Sequence, residues 1–197
     1  TQIGNSSIPK NKNTNLNTVN TNPLRCPDVE TSKQMMKLLH QIASKKDSIG
    51  AQVMCKVENL PIGLGEPVFD KLNADLSKAL MSIPAAKGIE FGIGFDAARM
   101  KGSEYNDLYK ENFKTHTNHA GGIQAGISNG EILYFSMAFK PIPSIMKDQP
   151  SINKQGEKAI YKAGGRHDIC VVPRVLSIVE AMTALVLADH LLRNKIN

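Results

Sequence analysis

The chain has 197 residues, 41 % of them apolar and 21 % charged, so most of it is expected to fold around a core. Trp is absent and aromatics reach only 5 %, which leaves the core to aliphatic side chains. The net charge of +6 points to anionic partners, but the basic residues are scattered and aromatics for base stacking are scarce, so nucleic acid is not expected.

In chain order, residues 1–24 come first as a flexible Asn-rich loop or tail. Seven Asn fall within the first 22 residues, a composition that buries too little to order itself. The folded part is expected over 25–197. Asp28 to Ser48 reads as a helix with Asp28 as N-cap and an apolar stripe of Val29, Met35, Met36, Leu38, Leu39, Ile42 and Ala43. Ile49 to Val57 alternates as a strand. Pro61 to Pro67 forms a stiff turn, and Val68 to Ile83 a helix with Val68, Leu72, Leu76, Leu80 and Ile83 on one side, stopped by Pro84. Gly88 to Phe95 reads as a strand whose glycines leave room for another backbone or a ligand. A long polar connection over 97–119 is of a length usually tied to function.

Ile132 to Phe139 is a further strand, ended by Pro141 and Pro143. A basic loop leads to Arg166-His167-Asp168, and Val171 to Arg193 predicts a helix apolar over most of its surface, hence deeply packed. No uninterrupted apolar run reaches the ~18 residues of a membrane helix, so no membrane partner is expected. Thr1 rather than Met opens the chain and no basic-then-apolar leader follows, so a fragment without a secretory signal is expected. Three widely spaced Cys with no CxxC pair argue against a disulfide scaffold and against zinc, and fit a reducing cytoplasm. The alternating strands predict an α+β fold, an antiparallel sheet with helices packed on one face.

Chemistry concentrates in three places. Ala120 to Gly130 carries four Gly in eleven residues; such a backbone is either a plain β-turn or a cradle for phosphate or a planar ring. Gly165-Arg166-His167-Asp168 offers a guanidinium for phosphate or carboxylate beside an acid that can hold a proton, or else a surface turn with an Arg–Asp pair. Lys140-Pro141-Ile142-Pro143-Ser144 sets a cation and a hydroxyl on a rigid loop, or is an ordinary strand end. His116 and His119 lack the partners of a metal site, so no metal is expected. Cys170 reads as a buried thiol.

Taken in order, these stretches resemble chorismate synthase. Gly63-Leu64-Gly65-Glu66-Pro67-Val68-Phe69-Asp70-Lys71-Leu72 is similar to that family's GLGEPVFDKL segment. Met81-Ser82-Ile83-Pro84-Ala85-Ala86-Lys87-Gly88 resembles its MSI-x-A-x-KG, and Gly102-Ser103-Glu104-x-Asn106-Asp107 its GSE-x-ND. The Gly-rich stretch, Phe139-Lys140-Pro141 and Arg166-His167-Asp168-x-Cys170-Val171 follow in the family's order. The likeness runs from about Arg25 to the end and covers only the C-terminal half or so of the family's chain.

The resemblance implies one half of the family's β-α-β sandwich, a cytoplasmic homotetramer when complete. It implies a carbon–oxygen lyase of the shikimate pathway, on the route to aromatic amino acids. The reaction is an anti-1,4-elimination of phosphate from 5-enolpyruvylshikimate 3-phosphate to chorismate, with reduced FMN required but not consumed. The flavin lends electron density as phosphate leaves, and the C6 proton passes to it. Carried over by position, Pro84, Ala85, Ala125, Lys140, Pro141, Ile142, Pro143, Ser144 and Arg166 are flavin contacts. Asp168 handles a proton, and Arg166 also faces the substrate's anionic groups. The family's general-acid histidines belong to the N-terminal half, which makes a non-catalytic fragment the alternative; use of NADPH to reduce the flavin is not legible here. Ala125 stands for a usual Gly and Ala51 for the second Gly of an IGG, and Pro84 removes an N–H where other members carry Asn. A positive φ at Ala125 would cost about 1 kcal/mol.

Overall fold

The computed structural model describes residues 1–9, 12 and 14–196. Its strands and helices, in order, are β1 (Gln2–Ile3), β2 (Ser6–Ser7), α1 (Val29–Ser44), β3 (Ala51–Val57), α2 (Leu72–Met81), β4 (Ala86–Phe91), α3 (Gly102–Tyr105), β5 (Ile123–Gln124), β6 (Ile127–Ser128), β7 (Leu133–Phe139), β8 (Gln149–Ile152), β9 (Lys158–Tyr161) and α4 (Val172–Ile196). Short 3-10 turns occupy Leu16–Thr21, Gly94–Arg99 and Glu111–Phe113. The chain divides into two compact units, Thr1–Gln52 with Phe139–Arg174, and Val53–Ala138 with Val175–Asn197.

In the first unit the expected loop over 1–24 is partly ordered. β1 pairs antiparallel with β2 and with the start of β3, Ile3 facing Ser6 and Ala51, and Ile3 is fully buried. An apolar side chain in an otherwise polar stretch was enough to pin that edge. Asn11 and Asn13 of the expected loop lie outside the described residues. α1 begins as expected: the Asp28 carboxylate accepts from the Thr31 N–H at 2.8 Å. It ends at Ser44 rather than Ser48, because Lys46 turns left-handed at φ 55°. Met35 is fully buried, whereas Val29 at the helix start is exposed.

In the second unit β3, β7 and β4 lie side by side in that order, with α2 packed on β4. α2 starts four residues later than the apolar spacing suggests. Lys71 stays extended, and Val68 and Phe69 are 69 % and 90 % exposed, while Leu72, Leu76 and Leu80 are fully buried. β4 stops at Phe91 because Gly92 and Gly94 take positive φ. What approaches the bare glycine face is backbone: a Cβ on Gly92 would lie 1.9 Å from the His119 carbonyl.

α4 departs most from expectation. It is long and apolar enough to cross a membrane by length and composition, with mean hydropathy 1.8 over its best window, of which only 28 % is buried. Val175, Val179, Thr183 and His190 form its buried side, where His190 Nε2 donates to Asp75 of α2 at 3.0 Å. Leu185 and Leu192 face outward, because an all-round apolar helix has partners here on one side only.

Candidate active site

The Gly-rich stretch folds as a β-hairpin. Ile123 faces Ser128 and Gln124 faces Ile127, and the connecting Ala125 and Gly126 take φ of 52° and 89°, the sign pattern of a type I′ turn. Ala125, the expected flavin contact, therefore sits exposed at the tip in the left-handed region its methyl disfavours. The Pro61–Gly65 turn zips along β6: Gly63 N–H donates to Ser128 O, Ser128 N–H to Leu64 O, and the Ser128 hydroxyl to Pro61 O. The carbonyl of Gly126 accepts from Leu72 N–H at 2.8 Å and so caps α2, whose Lys71 side chain makes no cap. That closeness is why residue 65 is glycine, since a Cβ there would lie 2.3 Å from Gly126 O. Ile62, Tyr109, Gln124, Ile127, Ser128 and Asn129 line a cavity of about 220 Å³ beside the hairpin. Pro84 and Ala85 form the turn between α2 and β4, with Ala85 at φ 69°.

In the first unit two expected site segments meet on one short stretch. Ser48 donates its hydroxyl to Ile142 O at 2.6 Å, and Ile49 N–H donates to Ile169 O at 3.0 Å. The Lys140–Ser144 loop and the Arg166–Asp168 segment are thus both anchored to residues 48–49. Gly50 completes the seat, since a Cβ there would lie 2.9 Å from Phe139 O and 3.2 Å from Pro141 Cδ. Lys147 pairs with Asp47 and ties the far end of the same loop.

The guanidinium–carboxylate pair differs from expectation. Asp168 is bound by Arg174, Nε to Oδ2 at 2.8 Å and Nη2 to Oδ1 at 3.2 Å, not by Arg166. Arg174 lies in the first turn of α4, where side chains lean toward the helix N-terminus and reach residues upstream of it. Lys140 and Arg166 are exposed, and neither has an ion pair among the described residues. His167 Nε2 is spent on Gly164 O at 2.8 Å. Burial pushes the Cys170 thiol up, as befits a packing cysteine. Sequence reasoning missed Ser48 and Arg174. The backward lean of helical side chains was a usable signal for Arg174; nothing local marks Ser48.

The elements form an α+β fold in which Lys140 and Arg166 have no ion pair among the described residues. The sequence profile of the chorismate synthase family matches residues 1–192, and the chain belongs to that family. It is 52 % identical over 174 residues to a chorismate synthase of Christiangramia forsetii, covering 88 % of this chain and 49 % of that protein. It is 50 % identical over 185 residues to one from Cytophaga hutchinsonii, covering 92 % and 51 %. A crystal structure of chorismate synthase superposes with a TM-score of 0.73 at 30 % identity, covering 90 % of this chain and 48 % of that one. The chain spans about half the length of the curated relatives it matches.

Proposed function

We propose that the chain is the C-terminal part of an FMN-dependent chorismate synthase that eliminates phosphate from 5-enolpyruvylshikimate 3-phosphate. The observation that carries this reading is that Lys140 and Arg166, on two loops anchored to the same residues 48–49, have no ion pair among the described residues. A trianionic substrate and a phosphate-bearing cofactor both call for such cations. Within the first unit, the cationic loop stiffened by Pro141 and Pro143 suits the phosphate of reduced FMN. When bound, the reduced flavin supplies electron density that eases departure of the phosphate. Lys140 and Arg166 hold anionic oxygens. Pro141, Ile142, Pro143 and Ser144 are flavin contacts on this rigid loop, and in the second unit Pro84, Ala85 and Ala125 are the flavin contacts that family position implies. Pro84 contributes shape alone there, having no N–H. The Asp168 carboxylate holds or passes a proton, aimed by Arg174.

For the complete enzyme this reading includes a cytoplasmic homotetramer, no nucleic acid, no membrane and no metal. A second reading, a non-catalytic fragment, is favoured by the half-length match to the relatives. One assay separates the two. The chain is incubated anaerobically with reduced FMN and substrate, alone and joined to an N-terminal half from a relative. Chorismate from the joined protein only is the expected result, while a folded, flavin-saturated joined protein without product overturns the proposal. In the joined protein Asp168→Asn should keep flavin affinity and lose about tenfold or more in turnover; an unchanged rate removes Asp168 from the chemistry.

A further inference from the structure

Asp107 has no part in the proposed chemistry, yet its carboxylate serves three hydrogen-bond donors. Its side chain is 1 % exposed. Oδ1 accepts from the Thr117 hydroxyl at 2.6 Å and from His119 N–H at 2.7 Å, and Oδ2 accepts from Ala120 N–H at 2.9 Å. Burial works against the charge, but the Thr117 hydroxyl and the Ala120 and His119 amides outweigh it and hold the carboxyl below its ordinary value.

These three donors lie directly ahead of Gly121-Gly122, where the hairpin begins. The knot continues from there. Asn118 Oδ1 accepts from Gly122 N–H and its Nδ2 donates to Ile132 O, both at 2.8 Å, while Tyr134 donates its hydroxyl to Asn118 O at 2.9 Å. Gly92 closes it, with N–H donating to Tyr134 O at 3.1 Å and no space for a side chain against His119. No apolar packing could replace this arrangement, because it is made of backbone groups that need partners. A charged acceptor serving three donors at once is the strongest element in it.

We propose that Asp107 is a positioning residue: its carboxylate fixes the root of the 121–130 hairpin and thereby sets how well the hairpin tip receives the cofactor, without touching it. This rests on the flavin reading of Ala125. The alternative is a carboxylate that only holds the fold together.

The test uses the complete enzyme carrying Asp107→Asn, with Asp107→Glu as the rescue variant. Reduced-FMN binding, kcat at saturating flavin and amide hydrogen exchange are measured together. The expected result for Asp107→Asn is a Kd for flavin raised about tenfold or more. Turnover at saturating flavin should stay near that of the unmutated enzyme. Exchange should quicken at residues 119–126 and at the Leu72 and Tyr134 amides that donate to Gly126 O and Gly121 O, but not in the rest of α2 or β7, and Asp107→Glu should recover part of the affinity. Faster exchange throughout the second unit with flavin affinity within about twofold of the original overturns the proposal. Should Asp107→Asn not fold, Thr117→Val removes one of the three donors from an exposed position; a rise in flavin Kd supports the proposal and an unchanged Kd overturns it. If the unmutated enzyme itself binds no flavin, the flavin reading has failed, and localised exchange at 119–126 alone decides whether Asp107 holds the hairpin root.

Discussion

Ala125 and Gly65 show how much a single backbone angle can decide. Both stand at positive φ, 52° and 128°, Ala125 next to Gly126 in the hairpin turn and Gly65 close against the Gly126 carbonyl. An alanine methyl in the left-handed region crowds its own carbonyl, and glycine does not. Ala125→Gly is therefore expected to stabilise the chain by about 0.5–1 kcal/mol, read as a raised Tm; a lowered Tm would show that the methyl makes a contact of its own. Gly65→Ala is the opposite case. Its new Cβ would meet Gly126 O at 2.3 Å, so backbone must move, and a loss above about 2 kcal/mol is expected. Gly63 at φ 94° has nothing within 4 Å of a Cβ and serves as the control: Gly63→Ala should cost only the strain of the angle, about 1 kcal/mol. The family spacing marked these positions as glycine-rich, yet only the neighbours tell which glycine is irreplaceable.

At the scale of elements, α1 and α2 begin for different reasons. α1 carries its own cap in Asp28, legible from the residue type before the helix. The carboxyl is lowered from 3.8 to about 2, first through its hydrogen-bonded ion pair with Lys12 and then through the Thr31 hydroxyl and amide. A lowered folded value means that the unfolded chain takes up the proton first. Stability from this group is thus complete above the ordinary value and is lost as pH falls from 3.8 toward about 2. Thermal unfolding followed by circular dichroism across that range should show Tm falling, and Asp28→Asn, which keeps a capping oxygen without the charge, should flatten the slope. Equal slopes would place the acid sensitivity elsewhere. α2 instead borrows its cap from Gly126 O, fifty-four residues downstream. The apolar stripe of Leu72, Leu76 and Leu80 was legible, but Val68 continued it by spacing alone and proved exposed. Spacing records which residues share a helix face and not where hydrogen bonding starts.

Across the whole molecule, large apolar side chains remain on the surface. Phe69 is 90 % exposed, Phe95 80 %, Leu185 66 % and Ile196 85 %. Surfaces of this kind associate. Sedimentation of the chain alone across the micromolar range is expected to show concentration-dependent association, and joining it to the other half of a relative should reduce that association. A monodisperse monomer that binds no apolar dye would show that these side chains need no cover. The expected deep burial of α4 missed this, because a helix apolar on every side states its appetite for partners and not whether the same chain supplies them.

What residue order determined by itself was local or collective. It gave the cap of α1, the buried stripe of α2, the strands β3 and β7, and the run of motifs that placed the chain in its family. Only tertiary structure decided that Asp168 takes Arg174 rather than Arg166, that Ser48 and Ile49 seat two cationic loops, and that Asp107 gathers Thr117, His119 and Ala120. The physical reason is separation along the chain. Side-chain periodicity reports neighbours three or four residues away, whereas a backbone carbonyl or a buried carboxylate is satisfied by whichever donor folding brings within 3 Å, and no local pattern encodes that partner.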